Sequence, residues 1–218
     1  MAYRGVIFDI DGTLVDSNDA HARAWQRALA DHGLQHPLEA IRPLIGMGGD
    51  QLLKHLEGMT KDDPRYKPIS EAWKRHFNDE EVQGVQGQPG SRDLVLALQA
   101  RGLQLIVGTS ADAALVDALL DKVGLKDVLR ERTTASEVEA SKPEPDIVQA
   151  AVKKLGLEPR EVVMIGDTPF DVEAARRAGV DTIFLRCGGD ERSEGAIAVF
   201  ESPQDLLTHL DESPLARA

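Results

Sequence analysis

Only one cysteine, Cys187, occurs in 218 residues, which excludes an internal disulfide and fits a reducing compartment. Apolar runs are short: none approaches the ~20 residues that span a bilayer. The first apolar run begins at Val6, so no charged region followed by an apolar signal segment precedes it. The expectation is a soluble cytoplasmic protein with no membrane association. Positive charge is scarce as well, with 25 Lys and Arg against 37 Asp and Glu and a net charge of −12. That is the wrong sign for gathering nucleic acid by phosphate neutralisation. A small anionic substrate would need local positive charge, from a lysine or a metal, working against the overall field. Low-complexity tracts and internal repeats are missing, and 28% charged with 42% apolar residues is an ordinary globular composition.

What is present begins with Val6-Ile7-Phe8-Asp9-Ile10-Asp11-Gly12-Thr13. Three consecutive β-favouring residues read as a strand buried on both faces, broken by two acids one residue apart and a glycine. Open α/β sheets place their chemistry at the carboxyl ends of such strands. Taken alone, Asp9 and Asp11 read equally well as turn residues before Gly12.

After Thr13 the pattern turns helical, from Asp16-Ser17-Asn18 to Gly33, with Trp25 and Leu29 one turn apart. Helical patterns recur over 37–44, 50–58 and 64–78, broken by Gly46-Met47-Gly48-Gly49 and Lys61-Asp62-Asp63-Pro64. About 70 residues therefore carry no strand signal, which reads as an all-helical insertion entered near Val15 and left through the glycine-rich stretch 84–90. From Ser91 onward helices and strands alternate. Strands are expected at 103–107, 133–135, 162–165, 182–185 and 196–200, with helices at 93–101, 112–123, 145–155 and 171–178 between them. Such alternation implies βαβ units and a parallel sheet covered on both faces. The expected division is an α/β, Rossmann-like core of residues 1–15 and 88–218 and a helical cap of residues 16–87.

In a parallel sheet the strand ends open on one edge, so groups distant in sequence converge. The first end offers Asp9 and Asp11, the second Thr109 and Ser110, a later loop Lys142 before Pro143, and a further end Asp167 and Asp171 within Gly166-Asp167-Thr168-Pro169-Phe170-Asp171. Two or three carboxylates from separate strands suit Mg²⁺, which takes oxygen ligands and shares them with phosphate. A hydroxyl beside the start of the helix at Asp112 suits a phosphate. Lys142 supplies the positive charge that the acidic total demands and restrains repulsion among the acids.

These four motifs, in this order, resemble those of the haloacid dehalogenase superfamily, in its Mg²⁺-dependent phosphohydrolase branch with a helical cap inserted after the first motif. The resemblance runs from Val6 to about Leu185. It implies Asp9 as nucleophile, Asp11 as general acid and base, and Thr109 and Lys142 as phosphate binders; Ser110 is expected to offer the phosphate its backbone N–H, with a plain turn role as the competing reading. It implies Asp167 as a metal ligand, and the set expected around Mg²⁺ is Asp9, Asp11 and Asp167, with Asp171 behind them. Dehalogenase members lack an aspartate at the position of Asp11, which argues against carbon–halogen cleavage. Sugar-phosphate mutases of the branch usually carry valine at the position of Thr13 and Glu-Asp at that of Gly166-Asp167. Both departures favour a phosphatase resembling the phosphoglycolate phosphatase type, acting on a small phosphorylated metabolite. The alternatives are a mutase and, from another class, a phospho-acceptor signalling module, against which Asp11 argues because turnover needs a proton carrier.

Asp171 is expected to reach the metal through water or to pair with Lys142; the competing reading is a first-turn helix acid. The glycines around Met47 read either as a loop closing over substrate or as a plain helix connection. His21, His32, His36, His55, His76 and His209 show no metal-ligand spacing and are expected to be surface or packing residues, and Trp25 and Trp73 to be core. Substrate identity and oligomeric state carry no signal.

Overall fold

A computed structural model describes residues 2–216. The chain starts with β1 (Gly5–Phe8), whose Val6, Ile7 and Phe8 have no exposed surface. Side chains alternate across a strand. Val6 and Phe8 accordingly pack into one apolar layer and Ile7 into the layer on the opposite face.

Immediately after the first turn comes β2 (Val15–Asp16), then α1 (Asn18–Asp31), α2 (Leu38–Ile41) continued by a 3₁₀ turn at Arg42–Leu44, α3 (Gly49–Glu57) and α4 (Tyr66–His76). One turn of π-helix at Phe77–Glu81 and a 3₁₀ turn at Val82–Gly84 lead to β3 (Gln86–Gly87), which pairs antiparallel with β2. The helical stretch is thus not free of strands, as the sequence pattern implied. Two-residue strands are too short to leave a periodic mark, yet this pair ties together the points where the chain enters and leaves the insertion. The insertion has its own apolar cluster, with Trp25, Leu29, Ile41, Leu52, Leu53 and Ile69 among its members. Helix α1 belongs to both bodies: Ala20 and Ala24 face the sheet side, while Ala22, Trp25, Ala28 and Leu29 face the insertion.

The chain then alternates as expected through α5 (Ser91–Ala100), β4 (Gln104–Gly108), α6 (Ala113–Lys122), β5 (Arg132–Thr133), α7 (Asp146–Leu155), β6 (Val162–Gly166), α8 (Pro169–Ala178), β7 (Asp181–Leu185), β8 (Ala198–Phe200) and α9 (Pro203–Thr208). The weak third strand shrinks to two residues because Ala135–Glu137 forms a 3₁₀ turn capped by Thr134 and Glu137. Helix α8 starts two residues earlier than the pattern suggested, since Pro169 fits the first helical position and Asp171 completes a capping box with Thr168. All pairings in the six-stranded sheet are parallel, in the order β5-β4-β1-β6-β7-β8. The chain builds outward from β1 through β4 to β5, then returns to the other side of β1 at β6. That reversal puts a crevice at the carboxyl ends of β1, β4 and β6.

Candidate active site

Asp9 extends the β1 ladder by donating its N–H to Ile165 O at 2.9 Å and is 3% exposed. Gly12 follows at φ +77, and a Cβ there would collide with Asp167. Only glycine lets this turn bring the ends of β1 and β6 so close. Lys142, with no exposed surface, arrives on the loop ahead of α7. Its Nζ lies 2.6 Å from Asp9 Oδ1 and 2.8 Å from Asp171 Oδ1. The remaining Asp171 oxygen accepts from Thr168 N (3.0 Å) and Thr168 Oγ1 (2.7 Å). Asp171 therefore plays two of the parts foreseen for it, first-turn helix acid and partner of Lys142.

Asp167, at the end of β6, is fully buried and accepts from Thr13 Oγ1 (2.7 Å) and Asn18 Nδ2 (2.8 Å). Thr109 directly follows β4, with its Oγ1 accepting from Ala111 N at 3.1 Å, and with Ser110 it lines the same cleft as Asp9 and Asp11. The helix that follows is capped by Asp112, which accepts from Leu115 N at 3.0 Å.

Asp11 stands apart from the other acids. Its Oδ1 accepts from Ser17 Oγ at 2.6 Å and from His21 Nε2 at 2.8 Å. Three carboxylates do come together, each with an oxygen within 4.8 Å of the others, and they are Asp9, Asp167 and Asp171. The set expected around a metal was Asp9, Asp11 and Asp167; Ser17 and His21 draw the Asp11 carboxylate away, and Asp171 takes its place in the cluster.

His21 was expected to be a surface or packing residue. It is 5% exposed, lies flat on Phe77 (centroids 4.1 Å apart, planes at 6°) and stacks on Trp73 at 5.6 Å, so a wall of the insertion holds it against Asp11. Asn18 and Ser17 likewise read as helix caps in the sequence, yet their side chains serve Asp167 and Asp11. The available signal was their position: Ser17 and His21 are one helical turn apart and directly follow the acidic turn.

Electrostatics separate the acids. Burial raises the Asp9 carboxyl, the Lys142 ammonium opposes the rise, and the charges of Asp171 and Asp11 add to it, leaving it pushed up to about 8. Burial also raises Asp167 well above the carboxylate range, with Asp171 and Asp9 adding to it against the hydrogen bonds from Thr13 and Asn18. For Asp11, burial works upward, but the charge and hydrogen bond of His21 and the hydroxyl of Ser17 outweigh it and hold the carboxyl below its ordinary value. Burial works to strip the Lys142 proton, and the facing Asp171 and Asp9 charges prevail and keep it charged. The donor set fits Mg²⁺: three buried carboxylates from two strand ends and a helix start, with one ammonium among them, leave negative charge that a hard divalent cation satisfies.

Above these groups lies a cleft of about 390 Å³. Its floor includes Asp9, Asp11, Thr109 and Ser110, and its far wall comes from the insertion, including Trp25, the Gly46–Gly49 loop and α4. The loop therefore lines the cleft, and the two tryptophans are at once core and cleft wall.

Comparison with known proteins agrees with this geometry. A family model described as haloacid dehalogenase-like hydrolase matches residues 6–185. The chain is 34% identical over 212 residues to a phosphoglycolate phosphatase of Yersinia pestis, covering 95% of this chain and 90% of that one. It is 28% identical over 184 residues to a fructose-1-phosphate phosphatase of Escherichia coli, covering 84% of this chain and 97% of the other. A crystal structure of a hydrolase from Pseudomonas syringae superposes with a TM-score of 0.89 at 33% identity, covering 96% and 98% of the two chains. The family match takes in each strand end that carries the acidic cluster, and the chain belongs to the haloacid dehalogenase-like hydrolase family.

Proposed function

We propose that this protein is a Mg²⁺-dependent phosphatase that hydrolyses a small phosphorylated metabolite through an aspartyl-phosphate intermediate, with residues 1–15 and 88–218 as catalytic core and 16–87 as cap. Relatives with phosphatase names, covering nearly the whole chain, support the reaction class. The observation that carries the reading is the division of labour at the cleft floor. One buried carboxylate, Asp9, faces the Lys142 ammonium, while a second, Asp11, is held separately by Ser17 and His21.

Asp9, Asp167 and Asp171 would hold Mg²⁺, with Asp171 also tethering Lys142. Bound Mg²⁺ supplies charge neutralisation of the phosphoryl oxygens. Thr109, Ser110 and Lys142 bind and orient the phosphate. Asp9 attacks phosphorus as its ester bond breaks, and Asp11, in the protonated form that is the minor one at neutral pH, gives the leaving alcohol its proton. The resulting Asp11 carboxylate then takes a proton from water as it attacks the aspartyl phosphate, freeing phosphate and restoring Asp9. Acid–base assistance of this kind is worth about 10²–10⁴-fold, so most of the acceleration comes from positioning and charge stabilisation.

Among the described residues no helix is long and apolar enough to cross a membrane. The reading places the reaction in the cytoplasm, on a free small-molecule substrate and without nucleic acid.

The test is phosphate release from a panel of phosphorylated metabolites with Mg²⁺ and then with EDTA, for wild type and Asp9→Asn. The expected result is release that EDTA abolishes and Asp9→Asn lacks. Activity indifferent to EDTA, or clear turnover by Asp9→Asn above contaminating phosphatase, overturns the mechanism. Isomerised product without free phosphate identifies a mutase, and an aspartyl phosphate lasting minutes without multiple turnover identifies a signalling module.

A further inference from the structure

The cleft wall facing the phosphate floor comes largely from α4, where Lys67, Ser70, Glu71 and Lys74 recur at helical spacing on the cleft side. Each lysine of this wall is already set against a carboxylate. Lys61 Nζ donates to Glu139 O at 2.6 Å and lies 3.5 Å from Asp50, Lys67 Nζ lies 3.8 Å from Glu71, and Lys74 Nζ 2.5 Å from Asp112. Beside the pairs, Trp25 and Trp73 stack with centroids 5.1 Å apart, and Tyr66 also borders the cleft.

Charge decides what such a wall can accept. Two acids of the floor and the three acids of the pairs line the cleft, against three lysines, none of which is without a carboxylate partner. A carboxylate or second phosphate on the substrate would meet Asp50, Glu71 and Asp112, and of the three lysines only the well-exposed Lys67, 3.8 Å from Glu71, could turn to it at little cost. A hydroxyl both donates and accepts. A lysine–carboxylate pair can thus bond two neighbouring hydroxyls, giving to one and receiving from the other, with no change in net charge. The aromatic side chains offer apolar surface to C–H groups between those hydroxyls. The cleft of about 390 Å³ also lies in the size range of pockets that enclose a whole small molecule.

We propose that the group esterified to the phosphate is an uncharged, hydroxyl-rich chain or ring of sugar size, held by the lysine–carboxylate pairs of the cleft wall, α4 foremost. The proposal rests on the phosphatase reading and adds the substrate class. It sets this chain apart from an enzyme for a carboxylate-bearing phosphate, even though a phosphoglycolate phosphatase is among its relatives.

Fructose 1-phosphate, glucose 6-phosphate and sorbitol 6-phosphate are compared with phosphoglycolate, 3-phosphoglycerate and fructose 1,6-bisphosphate, with p-nitrophenyl phosphate reporting the chemical step. At least one ester of the first group is expected to exceed every member of the second in kcat/KM by about tenfold or more. In Glu71→Gln and Lys74→Met, that ratio of kcat/KM values is expected to fall about tenfold. The highest kcat/KM on a carboxylated or bisphosphorylated compound overturns the proposal while the phosphatase reading stands. Equal turnover of the two groups, or a ratio unmoved in both variants as folded proteins, does the same. No release from any compound, the p-nitrophenyl ester included, overturns both.

Discussion

His21 of the inserted helices reaches back to Asp11 of the sheet, with Nε2 2.8 Å from Oδ1 and its ring pressed flat on Phe77. The residue proposed for proton transfer is thus held by a side chain of the same inserted helices that wall the cleft.

Replacing His21 by Ala removes both the charge and the hydrogen bond that hold the Asp11 carboxyl low. We expect kcat to fall between about tenfold and 10²-fold, short of the full loss of acid–base assistance, with a smaller change in KM. Removal lets the Asp11 carboxyl rise, so the limb of the kcat profile that Asp11 sets as base in the second step shifts to higher pH. A purely structural His21 would lower the yield of folded protein and leave that limb in place; a pH–rate profile of the soluble variant tells the two apart.

Lys142 sits fully buried between Asp9 at 2.6 Å and Asp171 at 2.8 Å. Lys142→Met leaves two buried carboxylates without their cation, a loss of about 3–5 kcal/mol for a broken buried pair. For a chain of this size that corresponds to a Tm lower by roughly 6–20 °C. Thermal unfolding without metal checks it, and an unchanged Tm would mean that the acids take up protons at little cost.

The residues legible in the sequence were those at strand ends. Asp9, Thr109 and Asp167 each follow an apolar run that reads as a buried strand, and parallel topology brings those ends to one edge. The fold was readable for the same reason, since helices and strands alternate with strong periodicity after Ser91. Less visible was whatever works through space at short length. The two-residue strands β2 and β3 have no pattern of their own. His21, Ser17 and Asn18 lie on a helix whose periodicity speaks only of packing, and their partners are set by how α1 crosses the end of the sheet. For Asp171 the ion pair with Lys142 and the first-turn helix acid stood as competing readings, and both hold because they use different oxygens of one carboxylate.

His76 joins Glu80 (2.6 Å) and Asp31 of α1 (2.8 Å), and the hydrogen bonds to Glu80 and then Asp31 raise its pKa above the ordinary value. A histidine raised on folding contributes stability that is fully present below its unfolded pKa, about 6.5, and is lost as pH rises through the higher folded value. The Tm difference between wild type and His76→Gln is therefore expected to be largest near pH 5.5 and to shrink toward pH 8.5. A gap that widens with pH would contradict the pairing. Salt should narrow the gap at the acid end, since the acidic partners are well exposed.

Asp167 tests the metal assignment without recourse to activity. Its carboxyl is raised well above the usual range by burial and by the charges of Asp171 and Asp9, so in the metal-free protein it is a source of strain rather than of stability. Asp167→Asn keeps the shape, retains an oxygen acceptor for Thr13 and removes one of three crowded acids. The metal-free variant is expected to melt at or above the wild-type Tm. Mg²⁺ binds the native state only and stabilises wild type in proportion to RT ln(1 + [Mg²⁺]/Kd), about 2.7 kcal/mol at a hundredfold excess over Kd. Titrating Mg²⁺ from EDTA-treated protein should raise the wild-type Tm by several degrees and leave that of Asp167→Asn almost still. An equal rise in both proteins would place the ion elsewhere, and a metal-free Tm far below wild type would show that Asp167 is held for the fold and not for the cation.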